Sequence, residues 1–236
     1  MRNLGYNIQC ISILNFGGEL MLGLTNILIN VPIALIAITG HELAHAWVST
    51  KLGDPTPRYE GRLTLNPLAH LDPIGALLMI LTGFGWAKPV GVNPMYYKDR
   101  KKGMALVALA GPVSNFLMAF IGILIAVILM VIGEKLGWNS NFISTIFSIA
   151  DLFCFRNLCL MVFNLIPIPP LDGSKILGMI LPNRTYYNVL QYERYAIILI
   201  MLLSFTGVFN TIIGSGVNVF YRAIIRAVSS LLSLIV

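Results

Sequence analysis

The residues His41-Glu42-Leu43-Ala44-His45 form an H-E-x-x-H pattern near the end of a long apolar run. Side chains four residues apart share one face of an α-helix, so the imidazoles of His41 and His45 can bind one zinc ion. Glu42, beside His41, is then placed to reach a water held by that ion. A charged side chain at the centre of a membrane helix costs roughly 2.5 to 3.5 kcal/mol. Three ionisable residues in such a run therefore need a metal, a partner or a water cavity.

A catalytic zinc site usually takes three protein ligands and keeps one position open. The best candidate for the third ligand is Asp172, in the segment FNLIPIPPLDG at residues 163–173. The prolines of this segment end the preceding helix and force a turned chain, which suits the lining of a polar cavity. The same residues are equally compatible with Asp172 capping a helix that starts near Gly173.

The elements that carry these residues are predicted to cross a membrane. Hydrophobic residues make up 57% of the 236-residue chain and charged residues 11%, and the mean hydropathy is +0.80. These values exclude an ordinary soluble domain and predict an all-α polytopic membrane protein, a single domain over residues 1–236. The net charge of +6 is explained by basic loops between apolar runs, so no nucleic-acid partner is predicted.

The apolar runs predict a bundle of four to six transmembrane segments, with a catalytic core at about 20–180 and C-terminal helices at about 190–236. A shorter run precedes a Gly- and Pro-containing stretch predicted to form a short extended loop near the active site, and the apolar tail is too short to assign. The four long runs are 20–50, 103–133, 138–165 and 195–221. The short run is 73–84, and the tail is 223–236.

Basic residues follow the first long run, precede the second and follow the third, which predicts that these three loops are cytoplasmic. The short run at 73–84 then starts and ends on one side, so we expect it to be re-entrant or packed inside the bundle. The first and third long runs both run inward, which places His41, His45 and Asp172 at one depth. This shared depth favours the metal-ligand interpretation of Asp172 over the capping one.

Three motifs in this order resemble the core motifs of the site-2 protease family of intramembrane metalloproteases. They are HELAH at 41–45, GPVSN at 111–115 and NLIPIPPLDG at 164–173. Residues 61–75 and 85–90 are similar to a compact prokaryotic branch that lacks an inserted PDZ domain. The branch usually has proline where this chain has Gly91, a departure that leaves the conformation of that loop open.

The resemblance implies one zinc ion per chain, with His41, His45 and Asp172 as its ligands. It makes Glu42 the catalytic base and Asn164 a polar residue beside the reacting carbonyl. The implied activity is that of a zinc metalloendopeptidase, which cleaves membrane-spanning or membrane-associated protein substrates. The implied location is the cell membrane, as a multi-pass protein with its active site near the cytoplasmic side. Neither the substrate nor the oligomeric state follows from the resemblance.

Other polar residues have simpler explanations. His70 is expected to be a turn residue rather than a metal ligand, and Asn115 to bond across helices. Asp151 and Arg156 should pair with each other, with another helix or with water. The three cysteines are expected to be core residues without disulfides: Cys10, Cys154 and Cys159.

Other classes of protein stay open at this stage. The His, Glu and Asp residues could line the ion path of a transporter or channel, although the compact H-E-x-x-H favours hydrolysis. A catalytically silent membrane adaptor is possible, but the intact Glu42 argues against it. A zinc protease that processes prenylated proteins would be expected to use a downstream Glu as its third ligand, whereas this chain offers Asp172.

The predicted topology is testable by cysteine labelling. Single cysteines placed at 51–72, 88–102 and 174–194 in a Cys-free background should react only with reagents that reach the inner face. Labelling of the 88–102 loop from outside would show that the 73–84 run crosses the membrane completely. His41 and His45 would then no longer be predicted to lie at the same depth as Asp172.

Overall fold

The computed structural model describes residues 24–82, 86–182, 184–185, 195 and 208–233. This part of the chain is helical, as predicted, and has no β-strand beyond a single antiparallel bridge between Leu71 and Ala87. Short 3-10 turns begin at Pro67 and Pro94. The α-helices are α1 (Leu24–Lys51), α2 (Thr56–Tyr59), α3 (Pro73–Thr82), α4 (Arg100–Lys135), α5 (Ser140–Asn164), α6 (Asp172–Ile180) and α7 (Val208–Leu232).

Three of the described helices are long and apolar enough to cross a membrane: α1 from Leu28, α4 and α5. They correspond to the first three long runs of the sequence. Helix α5 has 25 residues, which at about 1.5 Å per residue exceeds the ~30 Å hydrocarbon core. Helix α3 has only 10 residues and is too short for a simple crossing. Asp72 starts α3 by accepting a hydrogen bond from Gly75 N–H at 2.8 Å.

The C-terminal region differs from the prediction. The sequence suggests one run ending at Tyr221 and a separate tail from Ala223, but α7 continues through both. Arg222 and Arg226 are exposed, so these charges lie off the packed face and do not end the helix. The buried positions of α7 lie four or seven residues apart on one face and pack against α5: Ile213, Val217, Ile224 and Val228. Most of the predicted run at 195–221 before α7 lies outside the described residues.

Helix α4 is the centre of the bundle, since it packs against α1, α5 and α6, while α5 also packs against α7. Small residues let α1 and α4 approach closely. A Cβ atom on Gly40 would lie 2.7 Å from the Met118 sulfur, and Ser114 Oγ donates to Gly40 O at 3.3 Å. Small residues at such contacts are common where membrane helices pack.

The charged residues within α5 bond to neighbouring helices, one of the expected alternatives. Arg156 donates to Asn30 of α1 at 3.0 Å, and Asp151 accepts from Tyr221 of α7 at 2.6 Å. The cysteine prediction is right in part. Both cysteines of α5 are buried; Cys154 is a free thiol, but Cys159 is disulfide-bonded, contrary to expectation.

Asp54, three residues after the end of α1, connects α1 to the loops that follow it. Its carboxylate is fully buried and accepts hydrogen bonds from Ser49 Oγ (2.8 Å), Asn93 N–H (2.7 Å) and Thr56 N–H (2.9 Å). Tyr97 OH in turn donates to Ser49 Oγ at 2.7 Å. Burial alone would raise the pKa of Asp54, but the hydrogen bonds outweigh burial and hold the pKa below its usual value. Asp54 thus joins α1 to the segment that precedes α4.

Asp54→Asn should lower the free energy of unfolding by about 1 to 3 kcal/mol at pH 7, because the amide cannot accept all of these hydrogen bonds. Since the pKa of Asp54 is lower in the folded state, its stabilising effect is present above about pH 4 and is lost as the pH falls through the folded pKa. The difference from wild type should therefore shrink from pH 6 to pH 3. Unfolding in detergent at several pH values measures this, with exposed Glu134→Gln as the control. A pH-independent deficit would contradict the assigned role.

Candidate metal centre

Two helices bring together the three predicted metal ligands. His41 and His45 lie one turn apart on α1, and Asp172 is the first residue of α6. Asp172 Oδ2 is 3.2 Å from His41 Nε2 and 3.1 Å from His45 Nε2, and one ligand atom from each residue lies within 4.8 Å of the others. All three side chains are buried. This is a group that could hold a metal ion.

The outer hydrogen bonds of the two imidazoles determine which nitrogen faces the group. His41 Nδ1 lies 2.6 Å from Asn115 Oδ1, and His45 Nδ1 lies 2.7 Å from Val107 O. Both partners are oxygens that only accept, so both Nδ1 atoms carry the proton and donate. The Nε2 atoms then point their lone pairs at the Asp172 carboxylate. Such a convergence of acceptors is stable only around a positive charge, either a proton on an imidazole or a metal ion.

The orientation of Asn115 is set by a chain of hydrogen bonds across helices. Its Nδ2 donates to Ala37 O at 3.1 Å and to Asn157 Oδ1 at 2.9 Å, and Asn157 Nδ2 donates to Phe153 O at 2.9 Å. Both asparagines are fully buried. Asn115 does bond across helices, as predicted, but sequence reasoning missed that it also orients His41. The fixed spacing of the GPVSN motif was the available signal.

The capping interpretation of Asp172 is wrong. Asp172 is the first helical residue of α6, the N-cap position belongs to Leu171, and no side chain caps this end. Its Oδ2 atom faces the histidines, and its Oδ1 accepts from Lys175 Nζ at 3.2 Å. Burial alone would raise the pKa of Asp172, but the positive charge that His41 and His45 present when an Nε2 atom is protonated, together with the charge of Lys175, holds this pKa well below its usual value. The carboxylate is therefore ionised.

Space for an ion exists because α4 has glycine at position 111. A Cβ atom built there would lie 2.5 Å from His45 Nε2 and 2.6 Å from His41 Nε2, so any larger residue would enter the group. The next residue, Pro112, has no N–H, so the carbonyl of Ala108, four residues earlier, lacks its helical hydrogen-bond donor. Gly111 and Pro112 together account for the start of the GPVSN motif.

The remaining candidates bond to backbone groups and are not members of this group. Glu42 is partly buried, and its Oε2 accepts from Val90 N–H at 3.2 Å. Asn164 ends α5, and its Nδ2 donates to Leu160 O at 3.0 Å within the same helix. His70 is fully buried, donates from Nε2 to Thr64 O at 2.9 Å and is not a member of the metal-binding group.

The donor set fits zinc. Zinc in proteins binds neutral imidazole nitrogen and carboxylate oxygen at about 2.0 to 2.2 Å in a tetrahedral arrangement. Two ligand atoms of such a tetrahedron lie roughly 3.3 Å apart, and the separations of 3.2 and 3.1 Å from Asp172 Oδ2 agree with this. The outer hydrogen bonds of both imidazoles are those that zinc-binding histidines usually make.

Comparison with known proteins gives a consistent result. Peptidase family M50 matches residues 31–209. A Bacillus subtilis protein, YwhC, is 39% identical over 198 residues, covering 84% of this chain and 89% of the relative. Rip2 of Mycolicibacterium smegmatis is 28% identical over 75% of this chain and 66% of the relative. MJ0611 of Methanocaldococcus jannaschii is 32% identical over 61% of this chain and 69% of the relative. All three are named "Putative zinc metalloprotease". No solved structure matches.

Gly111→Ala should weaken metal binding without unfolding the protein, because its methyl group would occupy the space between the two Nε2 atoms. Alanine is itself the better helix former, so α4 should persist. Zinc affinity should fall by at least roughly tenfold, measured by titration of the metal-free protein, with helicity followed by circular dichroism. Gly214→Ala is the control, since nothing lies within 4 Å of a Cβ atom there. Unchanged zinc affinity of Gly111→Ala would contradict the assigned position of the ion.

Proposed function

The chain belongs to peptidase family M50, the site-2 protease family, and is a zinc metalloendopeptidase; from this premise we propose that it hydrolyses peptide bonds of membrane proteins with one zinc ion held by His41, His45 and Asp172. The observation that carries the proposal is the buried convergence of three acceptor atoms, with both imidazoles oriented by outer hydrogen bonds. The zinc in the names of the relatives agrees with this set of ligands.

Zinc, when bound, supplies a lowered pKa for a coordinated water and polarises the scissile carbonyl. The general base is Glu42, which follows His41 directly and is not among the three ligands. Its carboxylate takes a proton from the attacking water and returns it to the leaving amine nitrogen. The Val90 N–H holds one carboxylate oxygen, Oε2, which leaves the other oxygen available for the proton.

Asn164 is proposed to donate a hydrogen bond to the reacting carbonyl. Its amide donates one N–H to Leu160 O within its own helix. The same amide has a second N–H, which can donate to the substrate carbonyl. This hydrogen bond would add to the stabilisation of negative charge on the reacting carbonyl oxygen. Replacing Asn164 should therefore lower the rate of cleavage less than replacing Glu42.

The proposed substrates are proteins that span or associate with the membrane. A substrate helix hides its carbonyls in its own hydrogen bonds, so it must unwind or present an irregular stretch before it can react. The segment at 86–93 is non-helical, contains Pro89 and Gly91 and contacts Glu42 through Val90. We propose that an unwound stretch of substrate lies along this segment as an added strand.

The proposed topology is that of one multi-pass domain over residues 1–236 in the cell membrane, with four to six transmembrane segments. Support comes from the three described helices that are apolar enough to span and from the basic loops next to them. In this topology α3 is re-entrant, and the metal centre lies toward the cytoplasmic side. The position of His41 and His45 near the inner end of α1 agrees with this depth.

Two sets of variants test the proposed function. Wild type should contain about one zinc per chain, and His41→Ala or Asp172→Ala should retain much less. Glu42→Gln should keep its zinc, because Glu42 is not a ligand. Its rate of cleavage should fall by at least roughly 10²- to 10⁴-fold, because the amide cannot accept the proton. The assay is single-turnover cleavage of a membrane-helix substrate in liposomes, with zinc measured on the same samples.

Gly214→Ala, far from any side-chain contact, serves as the matched control for purification and insertion. Near-normal cleavage by zinc-loaded Glu42→Gln would rule out Glu42 as the base. Full zinc retention by both ligand variants would rule out the metal centre described above.

A further inference from the structure

The extended segment 86–93 lies beside Glu42 but belongs to no sheet in the described part of the chain. Lys88 N–H donates to His70 O at 2.9 Å next to the single backbone bridge. From there the segment is held by side chains, of which Glu42 binds the Val90 N–H at 3.2 Å. The position of the proposed base is therefore tied to the position of this backbone.

Arg62 holds the same segment from the other side. Its Nη1 donates to Ala69 O and, at 3.3 Å, to Lys88 O, and its Nη2 donates to Pro89 O at 3.2 Å. The residue is only 4% exposed, and its Nε lies 3.8 Å from a Glu60 carboxylate oxygen. One guanidinium group thus joins two stretches of chain that are about twenty residues apart in sequence.

Pro89 C=O and Val90 N–H belong to one peptide group. That group is planar, and its oxygen and hydrogen point in opposite directions when it is trans. Arg62 binds the oxygen end and Glu42 binds the hydrogen end. The positive guanidinium and the negative carboxylate are therefore aligned with the dipole of this peptide group, and fixing its carbonyl fixes where its N–H points.

We propose that Arg62 is a positioning residue for catalysis, which acts on Glu42 through the peptide group between Pro89 and Val90. The proposal rests on the proposed role of Glu42 as the base. Arg62 is not a member of the metal-binding group. It keeps the Val90 N–H on one carboxylate oxygen, so that the other oxygen faces the reacting water.

Lysine cannot replace Arg62 in this arrangement. The planar guanidinium presents donors in a fixed fork that reach three carbonyls at once, whereas an ammonium group is a compact charge on a flexible stem. Arg62→Lys therefore keeps the charge and removes the geometry. Arg58 lies four residues earlier, in α2, and is exposed, so Arg58→Lys is a matched control.

The experiment compares wild type, Arg62→Lys, Arg58→Lys, Val90→Pro and Val90→Ala as zinc-loaded full-length proteins. Val90→Pro removes the N–H that faces Glu42, and Val90→Ala keeps it. Zinc content, kcat and KM for a membrane-helix substrate, and hydrogen exchange of the peptide covering residues 86–93 are measured on each. A double variant, Arg62→Lys with Val90→Pro, tests whether the two changes act through one group.

Arg62→Lys should keep its zinc, with kcat lowered roughly 10- to 100-fold and KM changed little. Val90→Pro should also keep its zinc and show a similar fall in kcat. The kcat of the double variant should be no lower than that of either single variant. Exchange in the segment should accelerate about tenfold in Arg62→Lys and stay at the wild-type rate in Arg58→Lys. Glu42→Ala should also accelerate it, which tests the Val90 contact without any cleavage assay.

A wild-type kcat for Arg62→Lys, or losses that multiply in the double variant, would overturn the positioning role. Unchanged exchange in both Arg62→Lys and Glu42→Ala would overturn the contacts on which it depends. If wild type binds zinc but cleaves no membrane protein, the proposed function fails instead. The exchange measurements still decide in that case whether Arg62 and Glu42 hold one peptide group.

Discussion

The structure depends on one electrostatic constraint, which is that three acceptor atoms meet in a buried place. The Nε2 atoms of His41 and His45 and the Oδ2 atom of Asp172 lie close together, and each would repel the others without a positive charge between them. Hydrogen bonds on the far side of each imidazole hold the lone pairs in this direction. The surrounding helices bury all three side chains and keep their ligand atoms close together.

This constraint explains features of α4 that carry no chemistry of their own. Gly111 leaves open the space between the two Nε2 atoms that a metal ion would need, and the carbonyl of Val107, one turn earlier, orients His45. Asn115 orients His41 and is itself oriented by Asn157 of α5. The packing of α1, α4 and α5 therefore fixes the orientation of the two imidazole rings.

Between the long apolar helices α1 and α4, side chains hold the loops by their backbone groups. Asp54 binds the Asn93 N–H, and Glu60 binds the Gly91 N–H at 3.2 Å. Proline at position 91 would remove the N–H that Glu60 binds. At this position the chain therefore uses a hydrogen bond from the backbone to a glutamate, where the family branch it resembles usually has proline.

The sequence alone determined the features that depend on local spacing and on bilayer thickness. Two histidines four residues apart must share a helical face, runs of about 20 apolar residues must be long enough to span, and the prolines after Asn164 must end α5. Only the tertiary structure decided the features that depend on neighbours distant in sequence. These include the direction in which Asp172 points, the second role of Asn115 and the partners of Asp151 and Arg156. The continuity of α7 past Arg222 belongs with them, because exposure rather than residue type decides whether a charge interrupts a helix.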